Sequence, residues 1–88
     1  MRKSPRKYAR LRGLMATYNV TQYDIADCWN ETHPNHRKYQ PEISKYLSGK
    51  HPMSFEFIKF LCLLLHVPSE DILYYFDPDG EDEALIWN

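Results

Sequence analysis

WNETHPNHRKYQPEISKYLSGK, residues 29–50, holds a short amphipathic helix and an unusual approach to it. Pro41 suits a first helical turn, and Ile43, Tyr46 and Leu47 fall on one side. Gly49 is a natural stop, so the spacing predicts a helix over 41–48. The preceding residues, 30–40, carry Pro34, His33, His36 and the pair Arg37-Lys38. Such a stretch reads as a metal site, a linker, or a surface that grips a partner. Cys28, His33 and His36, with His51, could supply soft ligands. Cys-x4-His-x2-His is not a spacing of structural zinc sites, however, and Cys28 fits a helix packing position. No metal or other cofactor is expected, and the histidines read as polar loop.

Working outward, Thr21 begins a helix. Its hydroxyl can accept from the amide of Asp24, whose carboxylate suits a helix N-terminus. Ile25, Ala26 and Trp29 mark its buried side, and Pro34 limits it to about residue 32. Upstream, Ser4-Pro5 starts a helix on which Tyr8, Leu11, Leu14, Met15 and Tyr18 share a face, with Asn19 as its left-handed end. Downstream, Ser54 caps a helix running to about His66, with Phe57, Ile58, Leu61, Leu64 and Leu65 as core. Val67-Pro68 breaks it. Ser69 caps a fifth helix with Glu70-Asp71 in its first turn and Ile72, Leu73 and Phe76 inside. Asp77-Pro78-Asp79-Gly80 is a turn. The remainder, EDEALIWN, is an acidic tail ending in Leu85-Ile86-Trp87. No segment alternates like a strand. The expected fold is all-α, a compact five-helix bundle over 1–76 followed by a tail over 77–88.

A chain of 88 residues makes one domain with a modest core, burying roughly 60–65% of its unfolded surface. No apolar run reaches membrane-spanning length, and the basic start MRKSPRKYAR lacks the apolar stretch of a secretory signal. Two distant cysteines in apolar-patterned stretches point to buried thiols in a reducing, cytoplasmic setting. The net charge of −1 conceals a polarity. Residues 1–50 carry ten Lys/Arg against four acids, a balance of +6; residues 51–88 carry one Lys against eight acids, a balance of −7. A basic half and an acidic half suggest a polyanion bound at one end. There is no glycine-rich phosphate loop and no nucleophile–base pair at a recognisable spacing, so an enzyme is not expected.

Five short helices in this order resemble the helix-turn-helix DNA-binding family of the Cro and lambda-type repressors. The residues that carry the resemblance are Leu11-Arg12 and Met15, then Thr21-Gln22-x-x-Ile25-Ala26, then Ile43-Ser44-x-Tyr46-Leu47-Ser48-Gly49-Lys50, and finally Val67-Pro68-x4-Leu73. It spans roughly residues 8–76. The family has about nine residues between the alanine of the second helix and the isoleucine of the third, as a tight turn requires. Here sixteen separate Ala26 from Ile43, so the turn is enlarged.

The resemblance implies a bundle containing a helix-turn-helix whose third helix reads duplex DNA. It places base contacts at Gln40, Pro41 and Lys45, with Ser44 beside them. Gln can pair with adenine N6 and N7, Lys can donate to guanine, and Pro offers only apolar contact, for example to a thymine methyl. Thr21 and Gln22 are assigned to the DNA backbone, where free amides favour a phosphate. Arg37, Lys38 and Lys50 flank the third helix where groove-edge phosphates lie, with Ser48 and Ser54 as further neighbours. Arg2, Lys3, Arg6, Lys7 and Arg10 read either as a basic arm on DNA or as a solubilising start. Tyr74, Tyr75 and Leu85-Ile86-Trp87 are surplus to one small core and read as a homodimer surface. The function implied is a cytoplasmic transcriptional repressor of phage, plasmid or bacterial origin. With about a dozen residues written beyond the fifth helix, no small-molecule effector is expected. The competing reading is a regulator on the same scaffold, an antirepressor or antitoxin, that binds a protein partner through its acidic, aromatic C-terminal end.

Overall fold

The computed structural model describes residues 7–80; the Ser4-Pro5 helix start, Arg2, Lys3, Arg6 and the Leu85-Ile86-Trp87 patch lie outside the described residues. Five helices follow in order: α1 Ala9–Thr17, α2 Gln22–Thr32, α3 Gln40–Leu47, α4 Phe55–Leu64 and α5 Ile72–Tyr75, the last entered through a 3-10 turn, Ser69–Asp71. Among the described residues there is no strand, and no helix is long and apolar enough to cross a membrane. The expected all-α bundle is what forms.

Three helices end in the same way. Asn19 (φ 57°), Gly49 (φ 81°) and His66 (φ 57°) are left-handed. After each, the next amide reaches back to the last turn: Val20 to Met15, Lys50 to Lys45 and Val67 to Cys62, at 2.8–3.0 Å. This satisfies carbonyls that a helix end leaves open. Gly49 needs no side-chain accommodation for that backbone, and Asn and His tolerate it better than most residues. The left-handed His66 ends α4 at Leu64, two residues before the boundary the sequence suggests.

Helix starts follow local chemistry at two places. Thr21 accepts from the Asp24 amide and the Asp24 carboxylate accepts from the Thr21 amide, a reciprocal capping box. Ser54 accepts from the Phe57 amide. Thr21→Ala should lower stability by about 1 kcal/mol and the melting temperature by roughly 4–8 °C. Thermal denaturation followed by circular dichroism reads this directly, and an unchanged midpoint would remove the box from the account of why α2 begins here.

Elsewhere tertiary contacts move the boundaries. Tyr8 was expected on the apolar face of a longer first helix. Instead it precedes α1 in a left-handed conformation, its ring is buried, and its N–H donates to the Pro78 carbonyl at 3.0 Å. Ser69 does not cap the fifth helix; it opens the 3-10 turn, with Pro68 before it, and Asp71 stands at the N-cap of α5 without a side-chain cap bond. Leu73, expected in the core, is 87% exposed. A helix of four residues turns only one side inward, and Ile72, Tyr75 and Phe76 take it. The core itself is Leu11, Ile25, Ile43, Leu47, Phe57, Leu61 and Leu65, each essentially without exposed surface. Cys28 and Cys62 are half-buried free thiols, and burial pushes both above the ordinary thiol pKa.

Candidate functional site

The long approach to α3 is fastened by the last turns of α2. Trp29 is buried, and its indole N–H donates to the His36 carbonyl at 2.7 Å. Asn30 holds the backbone of Lys38 from both sides: its Nδ2 donates to the Lys38 carbonyl and its Oδ1 accepts from the Lys38 amide, each at 2.7 Å. A side-chain amide thus acts as one rung of a ladder where the loop has no strand to pair with. The His33 ring stacks on Trp29, centroids 3.8 Å apart and 7° from parallel. Its Nε2 lies 3.4 Å from a Glu56 carboxylate oxygen and its Nδ1 lies 2.8 Å from the Thr32 hydroxyl. His33 is therefore engaged by α2 and α4, while His36 contributes its carbonyl. Among the described residues no three His, Cys, Asp or Glu side chains converge on a common point.

Arg37 and Lys38, neighbours in sequence, have opposite fates. Arg37 is exposed and makes no ion pair among the described residues. Lys38 turns inward, its side chain only 16% exposed. Its Nζ donates to the Tyr46 hydroxyl at 2.9 Å and to the Glu42 carboxylate at 3.2 Å. It also lies 5.0 Å from the Trp29 ring centroid and 5.1 Å from that of Tyr46, within cation–π range. Burial works against its charge, but the hydrogen bonds to Tyr46 and Glu42 outweigh that and hold its pKa above the ordinary lysine value. A lysine so enclosed is occupied by its own domain, leaving Arg37 as the loop's outward cation.

The expected basic arm is partly tied down as well. Lys7 pairs with Asp79. The Arg10 guanidinium lies 4.0 Å above the Tyr74 ring and donates to the Tyr74 carbonyl. Gly80 abuts that same guanidinium; a Cβ there would lie 2.9 Å from Nη1. Arg12 donates to the Leu47 carbonyl at 3.0 Å, at the C-terminal end of α3. These three cations fix the first helix to the last turn and to α3. The sequence offers no local signal for Arg12 or Asn30, because each acts on backbone distant in the chain or across a loop.

Around α3 the geometry gathers the polar face the sequence suggests. Gln40 donates to the Gln22 side-chain carbonyl at 2.7 Å, tying the starts of α2 and α3 together. Pro41 and Lys45 are exposed and Ser44 is half-buried. Thr21, Ser48, Lys50 and Ser54 lie at the surface around them, with Thr21 and Ser54 also serving as caps. An open cleft of about 700 Å³ runs between α2 and the loop, with Tyr23, Asp27 and Glu31 on one wall and Arg37, Tyr39 and Gln40 on the other. A second, of about 440 Å³, lies beside Glu42, Lys45 and His51. Both clefts share Tyr39 and Pro41.

At the other end, Tyr75 packs against the core and meets Tyr74 edge-on at 5.0 Å. The apolar side chains most open to solvent there and on α4 are Leu73 and Leu63, at 87% and 80%. No known family model, curated protein or solved structure matches the chain.

Proposed function

We propose that the chain is a sequence-specific duplex-DNA-binding regulator, a small repressor of the Cro type from a phage, plasmid or bacterium. The observation that carries this reading is the Gln22–Gln40 hydrogen bond at the joint of α2 and α3. It fixes the start of α3 with Pro41 and Lys45 outward, which suits a helix laid into a major groove. In this reading Gln40, Pro41, Ser44 and Lys45 meet base edges. Thr21 and Gln22 offer the start of α2 to a phosphate, and Arg37, Ser48, Lys50 and Ser54 flank the groove. Occupancy of the operator would block a promoter, with the concentration of protein as the control. A homodimer is proposed through the α5 side, where Leu73 joins Tyr74 as exposed apolar surface.

The test is retardation of duplex DNA from the chain's own upstream region at about 0.1 M salt. Gln40→Ala and Lys45→Ala should each weaken the specific complex by roughly 1–3 kcal/mol and relax base preference. Equal losses on specific and random duplex would reduce both to phosphate contacts. A second reading, a protein-binding regulator on the same scaffold, is favoured by Asp27 and Glu31, which place carboxylates in the larger cleft. Absence of any DNA complex, with a protein retained instead, would select it.

A further inference from the structure

We propose that Tyr39 is a specificity-determining residue: with Pro41 it forms an apolar ridge that reads thymine through its C5 methyl group. This rests on the DNA-binding reading above and adds to it a residue that the resemblance does not assign.

The ring is exposed, 60% open to solvent, and its side chain makes no hydrogen bond or ring contact among the described residues. It stands on ordered backbone nonetheless. The Tyr39 carbonyl accepts the Glu42 and Ile43 amides at 2.9 and 3.1 Å, and the preceding residue, Lys38, is held on both sides by Asn30. A large ring on a fixed base loses little freedom when it is covered, which is the character of an interface anchor. Because both open clefts share Tyr39 and Pro41, these two residues form the raised ground between them.

Each cleft carries both signs: Asp27 and Glu31 with Arg37 in one, Glu42 with Lys45 and His51 in the other. The cations can take phosphates at the groove edge, while the ridge between the clefts carries no charge and Pro41 no side-chain donor, so the ridge suits the groove floor. There the bases present donors and acceptors, and thymine alone presents an apolar group. Gln40 lies between the two ridge residues and can take adenine N6 and N7. The ridge and Gln40 together therefore favour a half-site with adjacent A·T and T·A pairs.

The experiment selects binding sites from a randomised duplex pool with the parent protein. Each thymine of the selected site is then replaced by uracil, which removes only the methyl. Binding is measured for the parent, Tyr39→Phe and Tyr39→Ala, with thermal melts to establish that all three fold. The parent and Tyr39→Phe are expected to bind about fourfold more weakly at one uracil position, the value of one buried methyl. Tyr39→Ala should bind the thymine and uracil duplexes alike. Discrimination that survives in Tyr39→Ala would overturn the proposal. So would loss of binding in Tyr39→Phe equal to that in Tyr39→Ala, which would mean a hydroxyl–phosphate contact. If no thymine position discriminates while Gln40→Ala still relaxes preference, the ridge falls and the DNA reading stands. If the parent enriches no sequence at all, both fall together.

Discussion

Trp29→Ala should lower the unfolding free energy by about 3–5 kcal/mol, and the melting temperature by roughly 12 °C or more. The Trp29 side chain joins α2, α4 and the loop before α3. The indole is 3% exposed. It meets Phe57 and Phe60 edge-on, at 5.5 and 5.2 Å, and lies face to face with His33. It also sits beneath the Lys38 ammonium and donates to the loop at His36. Removal leaves a cavity where α2 meets α4 and releases one of the loop's two fastenings. Trp29→Phe keeps an aromatic ring but loses the indole donor. Its cost should be smaller, with about 1 kcal/mol from the lost hydrogen bond. Thermal denaturation of the two variants separates these contributions; a Trp29→Ala midpoint within a few degrees of the parent would contradict this account of the loop.

Arg37→Ala and Lys38→Met should separate grip from stability. Arg37→Ala is expected to leave the melting temperature unchanged and to shallow the log–log salt dependence of DNA binding by about 0.9, the loss of one phosphate contact. Lys38→Met should leave the slope alone and lower stability by about 1–2 kcal/mol, since it removes cation–π and charged hydrogen-bond partners. A loss of about 0.9 from both variants would place both side chains on the backbone. The sign with pH is fixed. Because the folded domain raises the Lys38 pKa above 10.5, its stabilisation is fully present below the unfolded value and declines only as pH rises through the raised one. Across the neutral range this contribution is constant.

That pair also shows where sequence reading stops. Thr21, Ser54, Asn19 and Gly49 were legible because each cap or stop is settled within a few residues. The helical faces of α2 and α3 were legible for the same reason, and Ile25, Ala26, Trp29, Ile43, Tyr46 and Leu47 are all buried. Arg37 and Lys38 look equivalent in a string of letters. Which one turns inward depends on Trp29 from α2 and on Tyr46 and Glu42 from α3. Tyr8 likewise obeys Pro78, at the other end of the described chain, rather than its helical neighbours. Leu73 was misplaced because nothing in its spacing tells that α5 lasts only four residues. In the candidate site the polar face of α3 was readable, whereas Asn30 and Tyr39 were not. One works on the loop backbone and the other matters only because the surface falls away on both sides of it.

The fastening of Tyr8 to Pro78 and of Lys7 to Asp79 makes the domain nearly a ring. Its first and last described residues leave from one corner, so a few added residues could join 80 to 7 without reshaping anything between. The order in which the helices are strung is then a matter of where the ring is cut. The exposed stretch around residues 51–52 lies between two capped helices. A chain opened there would present the same packing with α4 first and α3 last.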